Sequence, residues 1–437
     1  MSIFQRFFAV ILLISIPSSV FAQACGAPRD IALGNGYSDL QFAIYALKPA
    51  TSSVPETSSG FRVVPPTGGD DTNAIQNALN RFGRVWLQEG RIYTITRQLV
   101  LRDGAALIGG GDGATLHMRL SNFGNFRNFL QNKRQIYEGN HEALRLTGQG
   151  ITVQNLYIVK EYLDDTYVAG INIREARDVV LDRLRLRGFS LVPGIISVQS
   201  GHNVSITNSI IHASCSDSKN APSDSNGGDF GAFQITGITV DDMRPQGTSS
   251  GLTIRNNVIR DLWITEADNP RGDQTDGINI HQSDFAASPA IIESNHIANV
   301  AEAIDVFGKN ILIRDNALQG HHSAVKLIHG ARQIHIVGNR ISGQPRYAGI
   351  GAYEASAGTG IERQVQDVWI IDNEFNLGQI DVPAVMVSRQ ENFPPTRVSL
   401  IRNRFEFPTC APIAIDCPAG QCWENNNEKT ATASQGC

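Results

Sequence analysis

Charged residues are scarce in this 437-residue chain: Asp, Glu, Lys and Arg make up only 18% of it, against 41% hydrophobic residues. Disordered chains have the opposite balance, so the composition predicts a folded protein with a substantial core. Neither sign of charge dominates, because 37 Lys plus Arg face 42 Asp plus Glu, for a net charge of −5. Without a basic tail or stripe, no nucleic-acid partner is expected.

Long hydrophobic runs are missing after the first 25 residues, so no membrane insertion is predicted. The beginning, MSIFQRFFAVILLISIPSSVFAQAC, has Arg6 before an apolar run of only about half the roughly 20 residues of a membrane span. A Pro-Ser-Ser break and the small residues Ala22 and Ala24 follow, as in a secretory signal. We expect a signal peptide over residues 1–22, cleaved near 22–24, and a periplasmic or secreted protein.

Cysteine is rare, with six residues in the chain. An even number in an exported protein indicates disulfides, and the crowding of four of them into 410–437 predicts a tethered C-terminal tail over 426–437. The pairing stays open, because six cysteines can pair in many ways. A zinc site at CPAGQC (417–422) is the alternative, although no His pair lies beside it.

A phrase of six residues recurs from residue 153. Its first residue is aliphatic, its fourth is often Asn, and its sixth is Ile, Leu or Phe; the other positions are variable. Its nine copies are VQNLYI (153–158), LDRLRL (181–186), ITNSII (206–211), IRNNVI (254–259), IESNHI (292–297), IRDNAL (313–318), IVGNRI (336–341), IIDNEF (370–375) and LIRNRF (400–405). The shortest intervals, 21 and 23 residues, indicate single turns of a solenoid. The missing Leu framework excludes leucine-rich repeats.

The Asn of this phrase is interpreted as structural. Turns stacked at about 4.8 Å align equivalent residues in ladders, and an Asn at an inward bend can satisfy the backbone of the next turn. Six successive copies carry it: Asn257, Asn295, Asn316, Asn339, Asn373 and Asn403.

The segment before the repeats, GGDDTNAIQNALNRFGRVWLQEGRIYTITRQLVLRDGAALIGGG (68–111), predicts a short amphipathic helix. Asp71 or Thr72 would cap it, and one face would carry Ala74, Ile75, Ala78, Leu79 and Phe82. With the turns that follow, the segment resembles the entry into the right-handed parallel β-helix of the pectate-lyase-like superfamily.

This resemblance covers about residues 65–425 and implies an all-β, single-domain solenoid with an N-terminal capping helix and long groove-forming loops. The expected boundaries are a lead-in at 23–60 and a β-helix domain at 61–425. The superfamily includes lyases, hydrolases, epimerases and non-catalytic members, so the fold leaves the activity open.

A second strand precedes the repeated phrase in each turn, as in GINI (277–280) and AIDV (303–306). Its second and fourth residues are expected to face the core, so the third faces outward. The outward residues predict an exposed ladder with a polar middle: Asn172, Ser197, Gln234, Asn279, Asp305, Lys326, Gly351, Met386 and Ala414. The outward position two residues further on adds His281, Phe307, Ile328 and Tyr353.

The long polar insertions 213–231 and 261–276 predict a groove wall, placing the site around residues 229–330.

Two pairs in this region could carry chemistry. Asp276 and Glu302 share a register, so their carboxyls are expected about 5 Å apart. Such a pair could serve a retaining glycosidase, could provide one acid of raised pKa, or could bind Ca²⁺ through both carboxylates. Alternatively, Asp276 only starts a strand and Glu302 is a solvated turn residue. Asp305 and Lys326 occupy adjacent rungs, where Lys326 is either a base tuned by Asp305 or half of a salt bridge. Replacing any of the four with Ala is expected to leave folding intact, because outward positions carry little core energy.

Other polar and aromatic residues complete the candidate site. His281, His322 and His329 are sugar contacts, acid–base groups or plain surface residues. Asp268 and Asp273, with Asp276, could gather Ca²⁺ in a Gly-containing loop, although the spacing is not that of an EF-hand. The expected substrate-binding residues are Gln234, Asn279, Arg271, Trp263, Tyr353 and His329.

The stretch QTDGINI (274–280) resembles the Asn-Thr-Asp-Gly strand of polygalacturonases. This resemblance places Asp276 at that family's carboxylate and Glu302 at the second Asp of its following pair. Ala301, Ser323 and Gly351 depart from the rest of the pattern, and His322 lies one residue off the His register. Ordinary polygalacturonase chemistry is therefore not expected.

These features favour an exported, monomeric enzyme that cleaves an acidic, uronate-containing polysaccharide by β-elimination, with Ca²⁺ as the candidate cofactor. Elimination needs a neutralised carboxylate, a base at C5 and an acid for the leaving oxygen. The base would be Lys326 or His281; Asp276, Glu302 and Asp273 would take acid or metal roles, and Arg271 would bind the carboxylate. The alternatives are a glycoside hydrolase using Asp276, Glu302 and Asp305, an epimerase, or a non-catalytic glycan-binding envelope protein. The acidic net charge favours Ca²⁺ bridging or a neutral glycan.

Overall fold

A computed structural model of the chain describes residues 60–119, 142–160, 169–189, 194–216, 235–240, 249–264, 275–281, 283–353, 364–378, 382–388, 394–407, 413–417 and 420–431. These residues form a right-handed parallel β-helix with one α-helix and 34 strands, which confirms the solenoid predicted from the repeats. Across these ranges, no helix has the length and apolar character needed to span a membrane.

The strands are short, as expected for a solenoid with three strands in each turn. The first turns contain β1 (Arg62–Val64), β2 (Arg84–Leu87), β3 (Ile92–Ile95), β4 (Leu99–Leu101), β5 (Ala106–Gly109), β6 (Ala114–Met118), β7 (Glu142–Leu146), β8 (Gln149–Gln154), β9 (Leu156–Lys160), β10 (Ala169–Arg174) and β11 (Arg177–Asp182). The middle turns contain β12 (Arg185–Arg187), β13 (Ile196–Gln199), β14 (His202–Thr207), β15 (Ile210–Ser216), β16 (Ile235–Val240), β17 (Ser250–Arg255), β18 (Val258–Ile264), β19 (Thr275–Ile280), β20 (Ala290–Glu293), β21 (His296–Val306), β22 (Lys309–Arg314) and β23 (Ala317–Leu327). The last turns contain β24 (Arg332–Val337), β25 (Arg340–Gly343), β26 (Ala348–Tyr353), β27 (Gln366–Ile371), β28 (Glu374–Leu377), β29 (Val385–Ser388), β30 (Thr396–Ile401), β31 (Arg404–Phe407), β32 (Ile413–Ile415), β33 (Cys422–Asn425) and β34 (Glu428–Ala431).

Three parallel sheets run along the solenoid. Sheet 1 has 13 strands in the order β1-β2-β5-β8-β11-β14-β17-β20-β22-β24-β27-β30-β33. Sheet 2 runs from β3 and β6 through β18 to β25 and β34, and sheet 3 runs from β4 and β7 through β19 to β26 and β32. The long strands β21 and β23 belong to both, because they continue through the corner that separates sheets 2 and 3 in the other turns. Alternating aliphatic side chains from all three sheets fill one continuous core.

The N-terminal helix α1 (Thr72–Phe82) buries Ile75, Ala78 and Leu79, as predicted. Phe82 is an exception: it is 49% exposed, with the guanidinium groups of Arg62 and Arg81 over its ring, because it lies at the last residue of the helix, where the buried stripe ends. Asp71 stands at the N-cap, but its carboxylate accepts hydrogen bonds from the Thr67 and Thr94 backbones instead of capping the helix.

The predicted Asn ladder is present. Asn295 donates its backbone N–H and its side-chain Nδ2–H to Asn316 Oδ1, over 2.9 and 3.0 Å. Asn316 Nδ2 also donates to the Ile292 carbonyl at 2.9 Å. The same pattern links Asn257 to Asn295 and continues through Asn339, Asn373 and Asn403 to Asn427. Each Asn therefore satisfies buried backbone groups of its neighbouring turns.

Replacing Asn316 with Ala is expected to destabilise the fold by about 3 kcal/mol, because Asn295 loses its acceptor and Ile292 its donor in the buried interior. Chemical denaturation followed by circular dichroism measures this change. Asn376→Ala is the matched control, since Asn376 is exposed and the one hydrogen bond of its side chain among the described residues is a 3.5 Å contact with Glu406. Equal losses in the two variants would contradict the structural role of the ladder.

At the C-terminal end, Cys417 and Cys422 form a disulfide, so this pair follows the disulfide interpretation and not the zinc alternative. Strand β34 pairs with β31, which extends the regular sheets into the segment predicted as a tail. Cys25, Cys410 and Cys437 lie outside the described residues, and their pairing remains a prediction.

Candidate functional site

Two polar rows cross sheet 3 over the middle turns. In one row, Asp276 aligns with Glu302, and Glu302 with Ser323, so the predicted shared register of the two carboxylates is present. In the other, Asn279 aligns with Asp305, and Asp305 with Lys326. The predicted ladder also continues as expected to Gly351, Met386 and Ala414.

One rung of the predicted ladder is wrong. Thr239, not Gln234, aligns with both Ser197 and Asn279. The strand begins at Ile235, and Gln234 itself lies outside the described residues. The segments AFQI and GITV carry the same alternation of residue types, so the pattern alone does not decide between the two registers.

The two rows face the same side because the chain turns a corner between them. Asn279 Nδ2 donates to Asp276 Oδ2 at 3.0 Å, although strict alternation would place residues 276 and 279 on opposite faces. A Cβ at Gly277 would come within 2.4 Å of Ile297 Cγ2, so this position faces the interior, directly before the buried Ile278. Ala303 and Ala324 are the buried small residues at the same place in the next turns.

The middle of this face is buried, which corrects the predicted exposed ladder. Asp276, Glu302 and Asp305 are only 2%, 1% and 3% exposed. Lys326 contacts Glu302 and Asp305 from the next turn, and two groups of aromatic and His rings border the rows. Replacement by Ala was expected to leave folding intact because these positions were predicted to be exposed. Since they are buried, removing one charge would leave another buried without its partner.

One contact network contains Asp276, Glu302, Asp305 and Lys326. Lys326 Nζ lies 3.0 Å from Asp305 Oδ2 and 3.4 Å from Glu302 Oε1. His322 Nδ1 lies 2.7 Å from the same Glu302 oxygen. Asp276 and Glu302 lie side by side on adjacent rungs, and a side-chain hydrogen bond from Asp276 contributes to lowering the pKa of Glu302. Neighbouring buried carboxyl groups favour a state in which only one of them is ionised.

The surroundings move the three carboxyl pKa values apart. Burial and the neighbouring Glu302 and Asp305 raise the pKa of Asp276 well above its usual range. Burial also raises the pKa of Glu302, but Lys326, His322 and the hydrogen bond from Asp276 outweigh it and lower that pKa to about 2. Burial, opposed by Lys326, raises the pKa of Asp305 to about 6. Asp276 is therefore the carboxyl of the network that keeps its proton to a higher pH than usual, while at neutral pH Glu302 and most of Asp305 are ionised.

Lys326 keeps its proton. Burial lowers its pKa, but the Asp305 and Glu302 carboxylates raise it well above the usual range of a lysine. This residue therefore acts as a fixed positive charge between two carboxylates.

The raised pKa of Asp305 predicts a pH-dependent stability. Its pKa of about 6 in the fold exceeds the ordinary value of 3.8, so its contribution is complete below pH 3.8 and is lost as the pH rises through 6. Asp305→Asn is expected to remove this loss, which amounts to about 3 kcal/mol at most. Melting temperatures of both proteins between pH 4 and 8 measure it. Parallel curves for the two proteins would contradict the raised pKa.

Several buried polar atoms of the site have no hydrogen-bond partner among the described residues. They include the acceptor oxygens Asn279 Oδ1, Glu302 Oε2 and Asp305 Oδ1, together with the Thr236 and Ser323 hydroxyls. Buried polar groups are normally paired, so a cluster of such atoms on consecutive turns is a place where a polar ligand can bind.

The predicted aromatic and His residues border the network. His281 packs edge-on against Phe307 with ring centroids 4.4 Å apart, and Phe307 packs against His329 at 4.9 Å. Burial, with a smaller effect of Lys326, lowers the pKa of His281 to about 4, so its imidazole is neutral at pH 7. Tyr353 is buried beside Gly351, so it closes the C-terminal end of the polar row instead of offering an open sugar platform.

His322, interpreted from the sequence as a sugar contact, an acid–base group or a surface residue, contacts Glu302 directly. Tyr347, which borders His322, was not assigned a role from the sequence. The Tyr347 ring stacks on His322 with centroids 5.3 Å apart and meets Tyr353 at 4.9 Å. No sequence signal marks Tyr347, because its position depends on how two turns stack.

The remaining predicted residues are not placed. Asp268, Arg271 and Asp273 lie outside the described residues, as does the side chain of Trp263, so the Ca²⁺ site stays a prediction. Within the described ranges, no group of three or more His, Cys, Asp or Glu side chains is arranged to hold a metal ion.

Comparison with known proteins shows similarity at the level of fold. No protein-family model and no curated protein matches the sequence. The catalytic domain of a GH87 α-1,3-glucanase, solved with nigerose, is 11% identical with a TM-score of 0.50, over 87% of this chain and 70% of that one. A tailspike protein of an E. coli bacteriophage, solved with a pentasaccharide, is 10% identical with a TM-score of 0.50, over 86% and 65%. A surface adhesin of Streptococcus pneumoniae is 13% identical with a TM-score of 0.48, over 80% and 90%.

Proposed function

We propose that this protein is an exported glycoside hydrolase that cleaves a glycan at the Asp276–Glu302–Asp305–Lys326 network. The observation that supports it most strongly is the aligned pair Asp276 and Glu302, whose pKa values are shifted in opposite directions, beside a third carboxylate. Carboxyl groups whose environments separate their pKa values supply the acid and the base of glycoside hydrolysis.

Asp276 takes the role of general acid. The pKa of its carboxyl is raised well above its usual range, so in this role Asp276 retains the proton. When the glycosidic bond breaks, Asp276 gives this proton to the leaving oxygen. The charge that then develops on Asp276 is next to Lys326, whose positive charge stabilises it.

Asp305 takes the role of base. His322 and Lys326 both contact one oxygen of Glu302, so we assign Glu302 to holding the network together and not to the base. Asp305 lies one turn from Asp276, in the row where it aligns with Asn279. Its Oδ1 is a buried acceptor with no partner among the described residues. This oxygen accepts the proton of an attacking water.

Lys326 and His322 position the carboxylates. Lys326 contacts both Glu302 and Asp305, and His322 contacts Glu302. They keep Glu302 ionised, and Glu302 in turn holds the proton on Asp276. Activity should therefore fall as the pH drops below about 6, where Asp305 becomes protonated.

β-Elimination, the reaction that the sequence favours, fits these groups less well. It needs a base for the C5 proton, and Lys326 is held protonated by two carboxylates. His281 is neutral but weakly basic, with a pKa of about 4, and packs against Phe307. The unpartnered oxygens of Asn279, Glu302 and Asp305 accept hydrogen bonds, so they favour sugar hydroxyls over a uronate carboxylate.

Two proteins with this fold point the same way. The α-1,3-glucanase domain was solved with nigerose, and the tailspike protein with a pentasaccharide. Both ligands are oligosaccharides, which supports a glycan as the substrate of this chain.

The deciding experiment mixes purified protein with neutral and uronate-containing polysaccharides, with Ca²⁺ or with a chelator. New reducing ends and absorbance at the unsaturated-uronate band are followed in parallel. Reducing ends without absorbance are expected on a neutral glycan. A rise in both signals would establish the lyase instead, and a requirement for Ca²⁺ would support the predicted metal site.

A binding-only protein is separated from an enzyme by the same assay. It would show affinity for a glycan but neither signal. In that case, substitution of Asp276 would change affinity alone.

A further inference from the structure

A row of aromatic rings lies on the outer face of sheet 1, away from the carboxylate network on sheet 3. His335 on β24 aligns with Trp369 on β27, Trp369 with Ser399 on β30, and Ser399 with Trp423 on β33. The residues on either side of His335, Trp369 and Ser399, such as Ile334 and Ile336, are buried, and Trp423 is itself 50% exposed, so the row faces outward.

One rung of this row lacks a ring. The His335 and Trp369 rings stack, with centroids 4.3 Å apart and planes 13° from parallel. The next rung is Ser399, and the one after it is Trp423, which is 50% exposed. Adjacent strands lie about 4.8 Å apart, so the two tryptophans stand about 10 Å apart across the serine.

The gap has the size of one sugar ring. A ring held between two aromatic faces needs a contact layer of about 4 Å on each side, or about 8 Å in all. One face of Trp369 is already covered by His335, and the other is turned toward the gap. Polar groups close its two ends: Arg397 hydrogen-bonds Asp367 and Gln366 at one, and Arg402 hydrogen-bonds Asp372 at the other.

We propose that the slot between Trp369 and Trp423, with Ser399 as its floor, is a second glycan-binding site that holds one pyranose ring. The CH faces of the sugar pack on the two indoles, while its hydroxyls reach the charged side chains at both ends. Ligand sites combine aromatic walls with a few polar groups in this way. A site here would hold a polymer on the opposite face from the carboxylates.

A protein partner fits this surface less well. Stable protein interfaces bury about 800 Å² per partner. The aromatic row is one residue wide, with Ile371 and Ile401 beside it, and ion pairs Asp367–Arg397 and Asp372–Arg402 limit it on both sides. A narrow slot between rings suits a single ring better than a broad protein surface.

The test measures glycan binding in Asp276→Asn protein, so that the probe is not consumed. Soluble β-1,3-glucan, α-glucan, mannan and polygalacturonate are titrated by tryptophan fluorescence and calorimetry. Trp423→Ala is expected to weaken binding of at least one glycan about 10-fold, because one wall is lost. Ser399→Trp is expected to weaken it as much, because the added ring fills the slot; a surface that merely binds exposed rings would instead bind more tightly.

Ser205→Trp is the matched control, since Ser205 occupies the same outward row, between Val180 and Thr253. Unchanged binding in Ser399→Trp, or no binding of any probe, overturns the slot. A change of oligomeric state in Trp423→Ala on sedimentation would assign the surface to a protein partner and also overturn it. Slot-dependent binding without hydrolysis by the wild-type protein would refute the proposed function alone, and hydrolysis without slot-dependent binding would refute the slot alone.

Discussion

Asp276→Asn is expected to lower the rate of glycan hydrolysis about 1,000-fold, because an amide has no proton to give to the leaving oxygen. The substitution keeps the shape of the side chain, and its amide can still donate to Glu302. The fold should therefore persist. Reducing-end assays at saturating glycan, with melting temperature and circular dichroism as checks on folding, measure the effect.

Asp416→Asn is the control for this variant, because Asp416 is exposed on the last turn. It should hydrolyse the glycan at the wild-type rate. If Asp276→Asn retained most of its activity while Asp305→Asn lost it, the acid would have to be placed elsewhere. A loss of affinity with an unchanged rate would indicate that Asp276 only binds the sugar.

Lys326→Met is expected to destabilise the fold by about 3–5 kcal/mol at pH 7, because it leaves the buried Glu302 and Asp305 carboxylates without their cation. Without Lys326, the pKa values of both carboxylates rise in the folded state. A raised pKa gives stability that is present at low pH and is lost as the pH rises. The deficit should therefore be small near pH 4 and largest above pH 7.

Urea unfolding of both proteins at pH 4, 5.5 and 7 measures this deficit. Lys309→Met serves as the control, since Lys309 is only partly buried and should change stability by less than about 0.5 kcal/mol. Adding Glu302→Gln to Lys326→Met should restore part of the loss, because one of the two unpaired charges is removed. A pH-independent deficit would point to lost packing instead of unpaired charge.

The fold follows from the repeated phrase because each solenoid turn is a local unit. The Asn at its fourth position aligns with the same residue of the next turn, so the phrase predicts both the sheet and the ladder. The registers of Asn279, Asp305 and Lys326 follow in the same way, since aliphatic residues on both sides mark the inward positions. The predicted register was wrong at Gln234, because the segments AFQI and GITV offer the same alternation of residue types.

Phe82 and Tyr353 show a different limit. The helical period places Phe82 on the buried face, but the helix ends there and the ring stays exposed. Strand alternation turns Tyr353 outward, but neighbouring rings bury it. Periodicity predicts the direction of a side chain, while exposure depends on what else packs at that place.

By itself, the sequence determined the parallel β-helix, its core, its Asn ladder and the rungs on which the carboxylates lie, because these depend on spacing along the chain. Only the tertiary structure decided that Asp276 and Asn279 face the same side, that Glu302 meets both His322 and Lys326, and that the network is buried. A pKa depends on desolvation and on charges within a few ångströms. Those neighbours come from turns about 20 residues or more away, so no local pattern reveals which carboxyl holds the proton.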